Sequence, residues 1–164
     1  MTESHAATDA RALLRHTVAT VAYRGGKAVR GAPPKFAEFR GGESTRTPVQ
    51  ILAHVGDLYD WALWLARGKH QWHDSTPLPW DDEVARFFTT LAAFDTYLAS
   101  DEPLAWPAER IFQGPIADSL THIGQLTMLR RLAGSAVRGE NYAKAEISSG
   151  TVGPEQPPPR AEFD

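Results

Sequence analysis

The clearest helical pattern in the chain is the segment 116–136, IADSLTHIGQLTMLRRLAGSA. Six of its residues follow one another at spacings of 4, 3, 4, 3 and 4, which form one seam of a heptad repeat; they are Asp118, His122, Gln125, Leu129, Leu132 and Ala136. Such a seam typically faces the interior of a helical bundle, yet its first half carries an acid, an imidazole and an amide. The segment therefore predicts a buried helix with a polar site inside the bundle. Apolar residues on the opposite side, such as Ile123 and Leu126, indicate that this side is covered as well.

Proline positions outline the remaining helices. The 12 prolines avoid four windows, which are 1–32, 49–76, 80–102 and 116–153. A helix interior excludes proline because proline lacks the N–H donor and clashes with the preceding turn. Together with helical apolar spacing, these windows predict helices over about 8–30, 48–67, 81–99 and 115–137.

Local signals refine the ends of these helices. Thr8 or Asp9 is the expected N-cap of the first helix, and Thr47 followed by Pro48 is a strong start for the second. Gly68 and Gly139 are the expected stops of the second and fourth helices. The predicted buried positions of the first three helices are Leu14, Val18, Val21, Ile51, Val55, Leu58, Ala62, Val84, Phe87, Phe88, Leu91, Phe94 and Leu98.

The whole chain of 164 residues fits one domain, and the predicted fold is an all-α four-helix bundle spanning 1–164. Two long loops, 31–47 and 69–80, join the helices. The tail 140–164 lacks a helical period and ends in a proline run, so it is either disordered or an extended strap across the bundle.

Composition excludes several classes of function. The chain has no Cys, which excludes disulfides, zinc–thiolate sites and a cysteine nucleophile. A net charge of −3 without a basic block argues against nucleic-acid binding. No apolar stretch approaches the ~20 residues that a membrane span needs, and the polar, acidic first residues are unlike a signal peptide. We therefore expect a soluble, cytoplasmic protein with a single globular domain.

The polar half of the seam predicts a metal site. Asp118 and His122 are four residues apart on one helix, so their side chains project side by side and can share one cation. His54 lies on the flank of the apolar arc of the second helix and is the candidate third ligand. Two imidazoles and one carboxylate would leave coordination positions free for water and substrate. The alternative for each residue is a hydrogen-bonded core or surface side chain.

Several other polar residues are candidates for a role in the site. Gln125 would hold a water or orient His122, or else pack as an interhelical amide. Asp57 and Asp60 are predicted to be solvated rather than ligands. His70 and His73, within HQWHD, form a weaker metal pattern because no helix fixes their geometry.

Three further groups complete the candidates. His16 lies within the first helix and is a weak candidate for a side chain that approaches the bundle interior. Trp61 and Trp64 would wall a substrate pocket or else pack in the core or at a dimer surface. Arg130 and Arg131 would clamp an anionic substrate or else pair with surface acids.

Several short motifs resemble the DinB superfamily, which includes the YfiT-like proteins and their thiol-transferase relatives. The resemblance is carried by ILAH at 51–54 on the second helix and by HIGQL at 122–126 on the fourth. Further similarity lies in LRRLAG at 129–134, GENY at 139–142 and EFD at 162–164. In order and spacing, these motifs extend the resemblance over nearly the whole chain after about residue 10.

The resemblance implies a four-helix bundle with a divalent metal held by three histidines. The first of these matches His54, the last matches His122, and the middle one falls on Asp118. A set with one carboxylate favours iron(II), manganese or zinc over nickel, or else the metal is lost and a polar remnant persists. Family members also tend to form homodimers.

The function implied is that of a metal-dependent enzyme, in which a divalent ion polarises a substrate oxygen or activates a bound water or thiol. Relatives are thiol S-transferases, maleylpyruvate isomerases or hydrolases. Because the chain has no Cys, a reacting thiol would be a small molecule such as glutathione, bacillithiol or mycothiol. The alternatives are a non-catalytic ligand-binding or stress-response protein, and a metal-free, hydrogen-bonded cluster of His54, Asp118 and His122.

Overall fold

The computed structural model describes the backbone of residues 2–164 and the side chains from residue 10 onward. The chain is mostly helical, with one small pair of strands, and the long elements follow the predicted order. Its elements are α1 (Thr2–Val29), α2 (Pro48–Ala66), α3 (Trp80–Ala99), α4 (Ala108–Ile111), a π-helical segment (Phe112–Ile116), α5 (Ala117–Leu132), β1 (Gly139–Glu140) and β2 (Glu162–Phe163). Short 3₁₀ turns lie at Phe36–Glu38 and Tyr142–Lys144. Among the described helices, none has the length and apolar character to cross a membrane.

The hydrophobic core forms where α1, α2, α3 and α5 pack together, and α2 is its most buried helix. The predicted apolar positions of α1, α2 and α3 are buried, except that Val84 is only partly so. Gly25 lets α1 approach α3 closely, since a Cβ there would lie 2.5 Å from the ring of Phe87. The continuation of α1 through Gly25 and Gly26 thus has a packing reason.

Helix α1 begins earlier than predicted. Thr8 and Asp9 lie within the helix, so neither is the N-cap. Helices α2 and α3 agree with the predicted bounds to within one residue. Thr47 caps α2 in a reciprocal capping box with Gln50, and Gly68 follows the end of the helix with φ +84°.

The fourth long helix differs at both ends from the prediction of 115–137. It begins at Ala108, and Pro115 lies inside it, within the π-helical turn. This turn accommodates proline because the N–H of Ala117 bonds to the carbonyl of Phe112, five residues back, and the widened ladder tolerates the missing donor. The helix ends at Leu132, well before Gly139.

Gly134 explains the early stop. It has φ +76°, and it donates to the carbonyl of Arg131 while Ser135 donates to that of Arg130. This pair of bonds is a Schellman motif, which requires a left-handed residue after the helix and favours glycine there. Ala136 is therefore outside the helix and exposed.

The C-terminal tail is a strap rather than a disordered segment. Val152 is buried and Ile147 packs against the core, while Gly139–Glu140 pairs antiparallel with Glu162–Phe163. Phe163 itself is exposed and lies against the backbone of Gly139. The buried carboxylate of Glu140 accepts hydrogen bonds from Tyr23 and Lys27 at 2.8 Å each, which fixes the tail to α1.

Candidate metal centre

Three side chains from two helices meet at one edge of the helical core. One ligand atom from each of His54, Asp118 and His122 lies within 4.8 Å of the other two. The carboxylate oxygens of Asp118 are 3.6 Å from Nε2 of His54 and 3.5 Å from Nε2 of His122. The predicted convergence of these three residues is confirmed, and the group could hold a metal ion.

The start of α2 and a neighbouring loop position His54. The capping box at Thr47 fixes the beginning of α2, two turns before His54. On its other side the imidazole packs edge-on against Trp72, with ring centroids 5.5 Å apart. Trp72 belongs to the connection between α2 and α3, which is fastened to α2 where Ser75 donates two hydrogen bonds to Asp57.

A buried hydrogen bond sets the rotation of α5 relative to α2. The hydroxyl of Tyr59 lies 3.0 Å from that of Ser119, and Ser119 donates to the carbonyl of Ile116 at 2.7 Å. Both side chains are fully buried, and burial raises the pKa of Tyr59, which keeps the phenol protonated. Because Ser119 follows Asp118 directly, this contact directs Asp118 and His122 towards His54.

Gln125 orients the ring of His122. Its Oε1 accepts a hydrogen bond from Nδ1 of His122 at 2.9 Å, one turn along α5. A neutral imidazole protonated on Nδ1 has its lone pair on Nε2, the atom that faces Asp118. The orienting role proposed from the sequence therefore fits, whereas the packing amide does not, because Gln125 is exposed.

His54 is kept neutral by its surroundings. Burial lowers its pKa most, and the nearby His122 and Arg46 lower it further, whereas Asp118 opposes them. A neutral imidazole retains the lone pair that a metal ligand needs. His54 is therefore ready to coordinate a cation at neutral pH.

The centre lies at a groove on the surface, which corrects the expectation of a site inside the bundle. The Asp118 side chain is 47% exposed, and Leu132, further along the seam, is 57% exposed. Ile123 and Leu126, on the opposite face of α5, enter the core, and of the apolar seam residues Leu129 is buried with them. Both faces of α5 carry apolar residues, so the spacing alone does not show which face enters the core.

Asp57 and Asp60 were both predicted to be solvated, and the outcomes for the two residues differ. Asp57 is only 2% exposed, which contradicts the expectation of a solvated residue. Its carboxylate accepts hydrogen bonds from Ser75 and from Arg86, and Arg86 also pairs with the buried Glu83. Asp60 lies 2.6 Å from Nδ1 of His73 at the surface.

Arg130 has a structural task that neither sequence alternative included. Its guanidinium is buried and donates to the carbonyls of Ala28, Arg30 and Gly31 at 2.9–3.3 Å. These acceptors lie at the C-terminal end of α1, where carbonyls lack helical partners. Arg130 thus neither clamps a substrate nor pairs with an acid.

The remaining candidates lie outside the ligand set. His16 is exposed on α1, which contradicts the expectation that it approaches the interior. Trp61 is separated from His54 by the ring of Trp72, 5.9 Å away, and also packs on His70. Trp64 lies under the cation of Lys69 and does not wall the groove.

Two residues beside the centre escaped the sequence reasoning. Trp72 packs on His54 from a loop, where no periodicity indicates a direction. Arg46 lines the groove next to His54 and directly precedes the N-cap Thr47. A cation just before a well-defined helix start, two turns ahead of a candidate ligand, is the signal that could have identified it.

A comparison of the chain with protein-family models, curated proteins and solved structures finds no match. The resemblance to the DinB superfamily therefore stays a prediction that rests on the motifs and on the site itself.

Proposed function

We propose that this chain is a DinB-like four-helix-bundle protein that binds one divalent metal ion through His54, Asp118 and His122. We further propose that it uses this site to catalyse a transferase or hydrolase reaction on a small molecule. The observation that carries the proposal is the convergence of one ligand atom each from His54, Asp118 and His122 within 4.8 Å of one another. Two imidazoles and one carboxylate at this spacing could hold one metal ion.

The separations favour a metal over a hydrogen bond. An N–H···O bond has its heavy atoms about 2.7–3.2 Å apart, whereas the Asp118–histidine distances are 3.5 and 3.6 Å. The two observed distances, which run to different oxygens of Asp118, are longer than such a bond and are compatible with a cation between the three side chains.

The donor set and its surroundings support a catalytic rather than a structural site. Three protein ligands leave at least one coordination position free, and two of them, His54 and His122, line a groove on the surface. A divalent ion held there would polarise a substrate oxygen or lower the pKa of a bound water or thiol. The residues of the chain supply orientation: Gln125 holds the His122 ring, and Trp72 packs against His54 and shields its edge.

Metal stoichiometry tests the binding step. The protein is purified without a metal-affinity tag, stripped with a chelator, and reloaded separately with zinc, manganese, iron(II) and nickel. We expect one equivalent of bound metal in the wild type and in the control variant His16→Ala, which removes an exposed histidine outside the site. His122→Ala and Asp118→Asn should lose it. Equal loading of all four proteins, or no loading of the wild type, contradicts the proposal.

Thermal unfolding gives an independent readout. Zinc at 100 times its dissociation constant should stabilise the wild type by about 2.7 kcal/mol, and it should leave Asp118→Asn unchanged. Thiol transfer is then assayed with glutathione, bacillithiol or mycothiol and a chromogenic electrophile. Because the chain has no Cys, thiol consumption can be followed without a protein background. Activity that survives both metal removal and His122→Ala would refute the catalytic role.

A further inference from the structure

Two of the three proposed ligands, His54 and His122, line a groove of about 620 Å³ between α2, α5 and the loop before α2. Gln125 lines the same groove. Small-molecule sites usually have volumes of about 300–1,000 Å³, so the groove is large enough for a substrate beside the metal centre.

The wall of the groove is apolar. Ile51 and Leu129 are buried beneath it, while Met128 and Leu132 each remain 57% exposed. The loop closes over this wall at Gly41, where a Cβ would lie 3.1 Å from Leu129. Large apolar side chains left exposed inside a concave surface favour a ligand with an apolar body.

Arg46 provides the positive charge of the groove. Its side chain lines the groove and, among the described residues, forms no ion pair. Among the described residues, the lining of the groove contains no Asp or Glu, although Asp118 lies 3.5–3.6 Å from the lining residues His54 and His122. Because Asp118 belongs to the proposed metal-ligand set, Arg46 is the permanently charged residue of the lining, and its positive charge is complementary to a negatively charged ligand.

The backbone around Arg46 is fixed on both sides. Thr47 begins α2 through its capping box with Gln50. On the other side, the hydroxyl of Thr45 bonds to Gly42, and Arg40 donates to the carbonyl of Thr45 at 3.0 Å. Arg46 is therefore presented from a preorganised turn, which lowers the entropy lost on binding.

We propose that this groove binds a small organic carboxylate with an apolar body, whose carboxylate pairs with Arg46 while the body covers Met128 and Leu132. The inference rests on the proposed function only in that the ligand would be the substrate of the metal centre. Arg130 is excluded as the anion partner because its donors are used at the end of α1.

The test uses three probes that separate charge from apolar contact: 4-phenylbutyrate, the neutral 4-phenylbutanamide, and acetate. Binding to the zinc-loaded, ¹⁵N-labelled wild type is followed by NMR. We expect the phenylbutyrate to bind about fivefold more tightly than the amide, which is within the range of an exposed ion pair. Acetate should bind most weakly, and the shifts should fall in residues 41–46 and 122–132.

Two variants and a control assign the interactions. Arg46→Gln should remove the preference for the carboxylate over the amide, whereas Leu132→Ala should weaken both probes alike. Arg131→Gln, which removes an exposed arginine outside this groove, should leave the preference intact. Equal affinity for the carboxylate and the amide in the wild type, or a preference that survives Arg46→Gln, overturns the inference.

Repeating the titration on chelator-treated protein separates the two proposals. A protein that loads zinc and shows no carboxylate preference retains the proposed function and loses this inference. A protein that fails to load zinc, yet prefers the carboxylate through Arg46, retains the anion site and loses the metal-dependent function.

Discussion

Two clusters of charged side chains each include a residue of α2, and the two clusters differ completely in their hydrogen bonding. The first, the Arg86 cluster, consists of Arg86, Asp57, Glu83 and Ser75; the second is the ligand set of His54, Asp118 and His122. Asp57 and Glu83 are buried, and each accepts hydrogen bonds from Arg86 and from the loop 75–78. Asp118 is half exposed, and its nearest histidine nitrogens lie beyond hydrogen-bonding distance.

The difference indicates which cluster serves the fold. In the Arg86 cluster every charge has a close partner, so the group stabilises the connection between α2 and α3. In the ligand set the carboxylate lies 3.5–3.6 Å from the histidine nitrogens, and both histidines line a groove. Titratable side chains three positions apart on one helix, such as His54 and Asp57, can thus have unrelated roles, and the completeness of the hydrogen bonding in their clusters separates them.

The largest effect should follow from removing the cation of the Arg86 cluster. Arg86→Ala leaves two buried carboxylates without their partner, and we expect it to lower the free energy of unfolding by about 3–5 kcal/mol. Urea denaturation measures the change. Arg67→Ala, which removes a surface cation lying over Trp64, is the control and should change stability by less than about 1 kcal/mol. If Arg86→Ala lowered the free energy of unfolding by as little as the control, the two carboxylates would not depend on Arg86 as their partner.

An intermediate effect is expected at Glu140, which fastens the tail. Burial acts to raise the pKa of Glu140, but hydrogen bonds from Lys27 and Tyr23 outweigh it, so the pKa is below its ordinary value of 4.5. A carboxyl whose pKa is lower in the folded state stabilises the fold above the ordinary pKa, and this contribution is lost as the pH falls through the folded-state value. Glu140→Gln should therefore lower the free energy of unfolding by about 1–3 kcal/mol at pH 7.

The pH dependence provides the check on Glu140. The stability difference between the wild type and Glu140→Gln should be constant from pH 7 to about pH 5 and should shrink below the ordinary pKa of 4.5. Glu155→Gln, at an exposed position of the same tail, should show no such dependence. A difference that grows in acid would have the wrong sign for this cluster.

The smallest effect should be that of Asp118→Asn in the metal-free protein. Because Asp118 is half exposed and its histidine partners are distant, we expect the free energy of unfolding to change by less than about 1 kcal/mol. Urea denaturation in the presence of a chelator measures it. A loss comparable with that of Arg86→Ala would show that the ligand set is a closed stabilising cluster as well.

Local signals made much of the fold predictable. The capping residues Thr47 and Pro48, the glycine at 68 and the regular apolar spacing gave α2 and α3 to within one residue. The candidate metal ligands could also be predicted from the sequence, since Asp118 and His122 are neighbours on one helix and His54 lies at the edge of an apolar arc.

Two of the errors share a physical cause: partners that are remote in the sequence. Arg130 is buried because it donates to the carbonyl of Ala28, 102 residues earlier in the chain, and Asp57 is buried because Ser75 and Arg86 close over it. The end of α5 is an error of another kind, because its signal, the left-handed glycine at 134, is local. No pattern within one helix indicates which of two apolar faces the rest of the chain will cover.

The π-helical turn at Phe112–Ile116 has a consequence for how such a site arises. A π turn is equivalent to one extra residue in an α-helix, so the helix after it is rotated by about 100° relative to the helix before it. Deleting Pro115 from this turn would restore a regular helix and change the rotation of Ala117–Leu132 relative to Ala108–Ile111 by about 100°. Both segments could then no longer keep their present contacts with the rest of the fold. The simultaneous packing of Ala108–Ile111 and the direction of Asp118 and His122 towards His54 therefore depend on the one extra residue in the π turn.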